Sequence, residues 1–150
     1  MAIFVNQVEI KDTEIGHEMQ YHAAASWEEA WRLAAQSLVI RQLLLQQAAN
    51  AGFCEAAESL TPGQGEEEVI DRLLQMDVSI PEADEPTCKR YYDRHPDSFV
   101  DSTSGKRVPF ARVHAPIRDF LHARAMRVAV TEYIRALSNR AVIRGFDLHG

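Results

Sequence analysis

The residues of this chain that chemistry would most readily recruit are six histidines, two cysteines and a run of three glutamates. Two histidines on one helix share a metal ion when they lie four apart, as in HExxH. His17 and His22 are five apart, and His114 and His122 are eight apart. Solvated helix-face histidines, with no metal and no cofactor, are the expectation. Cys88 and His95 are seven apart, which puts them two turns along one helical face at about 10 Å. That is too far for a thiolate–imidazole pair, so Cys88 reads as a half-buried cysteine and not as a nucleophile. Glu66, Glu67 and Glu68 would suit a cation, but compensation of the dipole at a helix start accounts for them. Gly63-Gln64-Gly65 lacks the rest of a phosphate loop, and the glutamates after it would repel phosphate. No catalytic residue emerges, and the expectation is a protein that is not an enzyme.

A second set of residues suits contact rather than chemistry. Trp27 and Trp31 are one helical turn apart and would either line a peptide groove or belong to the core. The core reading is favoured because the same stripe continues through Leu38 and Leu45. Tyr91 and Tyr92 are adjacent and diverge by about 100° on a helix, so one of them faces outward. Met19 and Met76 would serve as adaptable apolar liners. Met19, Trp27, Trp31, Met76, Tyr91 and Tyr92 are thus the candidate peptide-binding residues.

These residues need elements to hold them. Ile3–Ile10 alternates roughly as a strand, interrupted by Asn6-Gln7 as a tight turn or a bulge. Asp12 caps a short helix to about Tyr21. Ser26-Trp27-Glu28-Glu29 is a capping box opening a long helix that ends at Gly52. Its apolar residues spread over much of the circumference, which predicts packing on more than one side. Residues 60–65 have turn chemistry, and a helix follows with Val69, Leu73 and Met76 as its buried stripe. Pro81 blocks continuation, and Asp84 caps a further helix that carries Cys88, Tyr91 and Tyr92 and ends before Pro96. Asp97–Pro109 reads as a polar connection without a period. A last long helix runs from about Phe110 to Asn139, with Pro116 as a kink or its true first turn. Val113, Ile117, Leu121, Val128 and Leu137 are its inward candidates. The strand-like segment 141–148 then pairs with the N-terminal strand, since a lone strand leaves its backbone groups unsatisfied. The expected fold is mainly α, with a small two-stranded sheet formed by the two terminal segments. It is one domain over residues 1–150, with 100–109 joining an N-terminal part (1–99) to a C-terminal part (110–150).

The composition agrees with such a fold. Apolar residues make up 46% and charged residues 25%, a globular balance. Sixteen basic against 22 acidic residues leave a net charge of −6, which disfavours nucleic acid as the main partner. There is no basic leader followed by a long apolar run and no apolar stretch of membrane-spanning length, so neither a signal peptide nor a membrane segment is expected. Two widely spaced cysteines, without a CxxC, suit a reduced, cytoplasmic protein.

Several segments together resemble a known family. Val5-Asn6-Gln7-Val8-Glu9-Ile10 is similar to the strand that opens SurA-type chaperone domains, the N-terminal parts of parvulin-type peptidyl-prolyl isomerases. The helix around Leu38–Ala48 resembles the one that follows in that family. Tyr91-Tyr92 with His95-Pro96-Asp97-Ser98-Phe99 resembles its YYxxHPxxF segment, and the NifM-like group is the nearest variety. Ile117–Leu121, Tyr133-Ile134 and Ile143–Leu148 resemble the closing helix and strand of that group. In the family, a parvulin domain follows the position of Phe99. Here only Val100–Pro109 stands there, and no isomerase residue carries over. The resemblance therefore implies the chaperone half without the enzyme half. Its implied partner is an unfolded or partly folded client polypeptide held against apolar side chains, as in an accessory to maturation or assembly. The alternative is an assembly module, a homodimer that could exchange its C-terminal segment.

Overall fold

The computed structural model describes residues 2–56 and 63–148. The chain forms two compact units: Met1–Asp77 with Glu132–Gly150, and Val78–Thr131. The 100–109 connection lies inside the second.

In the discontinuous unit, β1 (Ile3–Val5) and β2 (Val8–Ile10) form a hairpin closed by Asn6-Gln7. Asn6 adopts a φ of 56°, a left-handed conformation that asparagine tolerates better than most residues. β1 also pairs antiparallel with β3 (Ile143–Arg144), aligning Phe4 with Arg144 and Val5 with Ile143. The terminal segments therefore do pair, but the sheet has three strands in the order β2-β1-β3, not two. The extra strand arises because Asn6-Gln7 is a turn that reverses the chain rather than a bulge within one strand. β3 is shorter than the 141–148 segment suggested. Gly145, with a φ of 82°, leaves the extended conformation and ends it. Ile3 and Val5 share one face of β1 and are fully buried, whereas on the opposite face the Arg144 guanidinium lies over the Phe4 ring at 4.7 Å.

α1 (Asp12–Glu18) continues into a 3₁₀ turn, Met19–Tyr21. Its N-cap is Lys11 and not Asp12, because the Glu14 carboxylate accepts from the Lys11 N–H at 2.7 Å and so fixes the start one residue earlier. α2 (Trp27–Asn50) starts where Ser26 Oγ accepts from Glu29 N–H at 3.1 Å. The Glu29 carboxylate reaches back to Ala25 N–H, one residue outside the usual box. At the other end Gly52 has a φ of 87°, and Phe53 N–H donates to Ala48 O at 2.9 Å, a Schellman ending.

α2 is buried on two sides. Ala34, Ala35, Val39 and Leu43 join Ile3, Val5, Ile10 and Ile15 in one cluster. Leu44 and Ala48 join Val69 and Leu73 of α3 (Gln64–Asp77), and Leu137, in another. Met76 is the exception to the expected stripe of α3. It is 71% exposed, one turn beyond Leu73, where the cluster has ended. At that end of α3 the Tyr133 hydroxyl donates to Asp77 Oδ2 at 2.6 Å; burial and then the carboxylate push the phenol above its ordinary pKa. Of the expected turn segment 60–65, residues 60–62 lie outside the described residues.

In the continuous unit, α4 (Glu85–Arg94) is capped by Asp84, whose Oδ1 accepts from Thr87 N–H at 2.9 Å. The Thr87 side chain first, and then this Thr87 N–H bond, hold the Asp84 carboxyl below its ordinary 3.8. A depressed carboxyl stabilises the fold above the unfolded-state pKa, and this contribution is lost as pH falls through the folded-state value. An Asp84→Ala variant should therefore be less stable than the parent at neutral pH, with the gap closing on acidification below about pH 4. Thermal melts across pH 7 to 3 check this, and a gap that stays constant would refute it.

Cys88 and Tyr92 pack with Ile117 and Leu121 of α5 (Phe110–Arg140), whose residues from Glu132 on belong to the other unit. Cys88 is fully buried, not half-buried, because Tyr92, one turn on, covers the same face. Pro116 lies inside α5, which starts at Phe110 and continues through it. Val128 is 60% exposed, against the expectation of an inward side chain, since the cluster built on α5 here ends at Leu121. The polar connection is more ordered than its composition suggests. Asp101 Oδ1 accepts from Thr103 N–H at 2.8 Å, and Val100 bridges to Arg107. The Arg107 guanidinium donates to Tyr92 O and lies 3.9 Å from the Tyr92 ring centroid.

Candidate functional site

α1 and α2 leave a cleft between them in the discontinuous unit. Asp12, Gly16 and Met19 follow the i, i+4, i+7 spacing that keeps side chains on one face, and Trp27 and Trp31 are one turn apart on α2. Together these five residues line a cleft of about 670 Å³. Gly16 adds no side chain to its wall, which helps keep it open. Trp31 and Met19 pack partly against the buried cluster, and the Trp31 ring lies 6.4 Å from Phe146 in a tilted arrangement. Trp27 departs from the core expectation: it is 69% exposed. It is the first residue of α2, where the cap at Ser26 holds the helix start while the buried stripe begins further on, at Ala34.

The six candidate contact residues are thus divided. Met19, Trp27 and Trp31 converge on the cleft. Met76 belongs to the same unit but does not line it. Tyr91 and Tyr92 belong to the other unit. Tyr92 is buried and its hydroxyl donates to Val108 O. Tyr91 is the more exposed of the pair, half-buried and stacked on His95 with ring centroids 4.0 Å apart. Asp12 reads from sequence only as a helix cap and Gly16 carries no signal of its own; their spacing from Met19 puts the three on one face of α1 without showing that α2 faces it.

Of the groups considered for chemistry, Cys88 is fully buried and His95 is engaged with the backbone. Cys88 has its thiol pushed up, chiefly by burial. His95 Nδ1 lies 2.8 Å from Tyr91 O, which commits that nitrogen to the backbone. Beside a second cleft of about 520 Å³ on the other flank of α1, Glu18 Oε1 is shared by His22 Nε2 at 3.3 Å, Ser37 Oγ at 3.4 Å and Arg41 Nη2 at 3.8 Å. Among the described residues no group of three or more His, Cys, Asp or Glu is placed to hold a metal ion. Both cysteines are free, and among the described residues no helix is long and apolar enough to cross a membrane. No protein-family model matches the chain, and no curated protein or solved structure matches it.

Proposed function

We propose that the chain is a non-enzymatic, chaperone-like polypeptide-binding module, an accessory to maturation or assembly whose Met19–Trp27–Trp31 cleft holds an apolar segment of a partly folded client. The observation that carries this is Trp27, 69% exposed beside the partly buried Trp31 and Met19. A large aromatic side chain left in water beside an open cleft supports a contact role for that cleft. Methionine at the rim tolerates varied side chains, as a client binder requires.

Both tryptophans of the chain line the cleft, so intrinsic fluorescence reports on it directly. Apolar peptides should shift the emission to shorter wavelength saturably, and Trp27→Ala should weaken binding about tenfold, roughly 1.4 kcal/mol. No shift with such peptides, together with no suppression of client aggregation at molar excess, would end the proposal. A second reading, self-association through α5, is favoured by Phe120 at 44% and Val128 at 60% exposure. Sedimentation over a range of concentrations tests it, and a monomer throughout removes it.

A further inference from the structure

We infer that the cleft takes a cationic side chain, the lysine or arginine of a polypeptide segment whose apolar neighbours it also holds; this rests on the polypeptide-binding reading above. The five lining residues include two indoles and one carboxylate, Asp12, and none is cationic. Among the described residues no ion pair or hydrogen bond engages the Asp12 side chain, which is exposed in the first turn of α1. An indole face attracts an ammonium or guanidinium within about 6 Å of the ring. A carboxylate in the same cleft adds a full negative charge to that preference. The long aliphatic stem of lysine or arginine would meanwhile lie against Met19 and the indole edges.

Other ligand classes fit less well. A divalent metal needs several oxygen ligands, and one carboxylate among aromatic and thioether groups does not supply them. A phosphate or a nucleic acid would meet Asp12 and a chain of net charge −6. A purely apolar side chain would fill the space but leave the carboxylate unused.

Three peptides sharing one apolar core and differing at a single position (lysine, acetyl-lysine or glutamate) decide the matter by tryptophan fluorescence. Acetyl-lysine keeps the stem and removes the charge. The lysine peptide should bind about tenfold tighter than the acetyl-lysine peptide at low salt. The glutamate peptide should bind weakest. The lysine preference should shrink as ionic strength rises, and in Asp12→Asn the ratio of the two affinities should fall toward one. Equal binding of lysine and acetyl-lysine peptides would overturn the inference while leaving the polypeptide-binding reading intact. A preference unchanged in Asp12→Asn would equally overturn it. Binding of none of the three would overturn both.

Discussion

Replacing Gly145 with alanine should remove about 2–5 kcal/mol of stability, a large part of what a domain of this size possesses. Two effects add. Gly145 has a φ of 82°, where a side chain costs about 1–2 kcal/mol. A Cβ there would also overlap the Ala2 carbonyl oxygen and lie 3.1 Å from its carbon and 3.3 Å from Ile3 Cα. These are backbone atoms of and beside β1, which is held on one side by β2 and on the other by β3, so they have little room to retreat. Gly52 provides the control. Its φ is 87°, but a Cβ would meet nothing within 4 Å. Gly52→Ala should therefore show the backbone penalty alone, about 1–2 kcal/mol. Urea unfolding of the two variants separates the effects, and equal losses would show that the approach to Ala2 carries no weight.

Asn6→Ala should destabilise by about 2–3 kcal/mol, since it removes two side-chain hydrogen bonds and strains the turn. The Asn6 amide works on both sides of the hairpin. Its Oδ1 accepts from Val142 N–H at 2.9 Å and its Nδ2 donates to Gln46 Oε1 at 2.6 Å. The Asn6 backbone N–H donates to Val142 O at 2.7 Å, so Val142 is held by main chain and side chain together. Gln46 in turn donates to Val5 O at 3.1 Å, linking the turn to α2. Asn6→Gly restores the conformational freedom but not the amide, and should fall between the parent and the alanine variant. Thermal denaturation of the three proteins ranks them; a glycine variant no better than alanine would show that turn strain is unimportant.

What the sequence made legible was what local chemistry decides. Ser26, Gly52 and Asp84 mark helix ends because each satisfies, or frees the geometry for, backbone groups a few residues away. The pairing of the terminal segments was legible because both read as extended and the C-terminal one has no local partner of its own. What escaped depended on distant neighbours. A turn and a bulge at Asn6-Gln7 look alike until Val142 and Gln46 are in place to hold Asn6. Met76 and Val128 have correct helical phase but lie past the clusters on their helices. The cleft was half visible: its aromatic wall showed in residue type, whereas the α1 wall of Asp12 and Gly16 depends on how two helices approach, which spacing along one of them does not contain.

β1 lies between a neighbour made immediately after it and one made long after it. Asn6 and Val142, bonded to each other, are 136 residues apart. On a ribosome adding about 5–20 residues per second, β1 waits roughly 7–27 s for β3 to be synthesised. The continuous unit, Val78–Thr131, has all its residues before then. Throughout that interval one edge of β1 has no strand beside it, and Phe146 and Leu148 are not yet present to cover the cluster around Ile3 and Val5. The nascent chain is then the kind of half-finished, apolar polypeptide that a holdase protects, so its yield in cells should depend on chaperones that bind nascent chains.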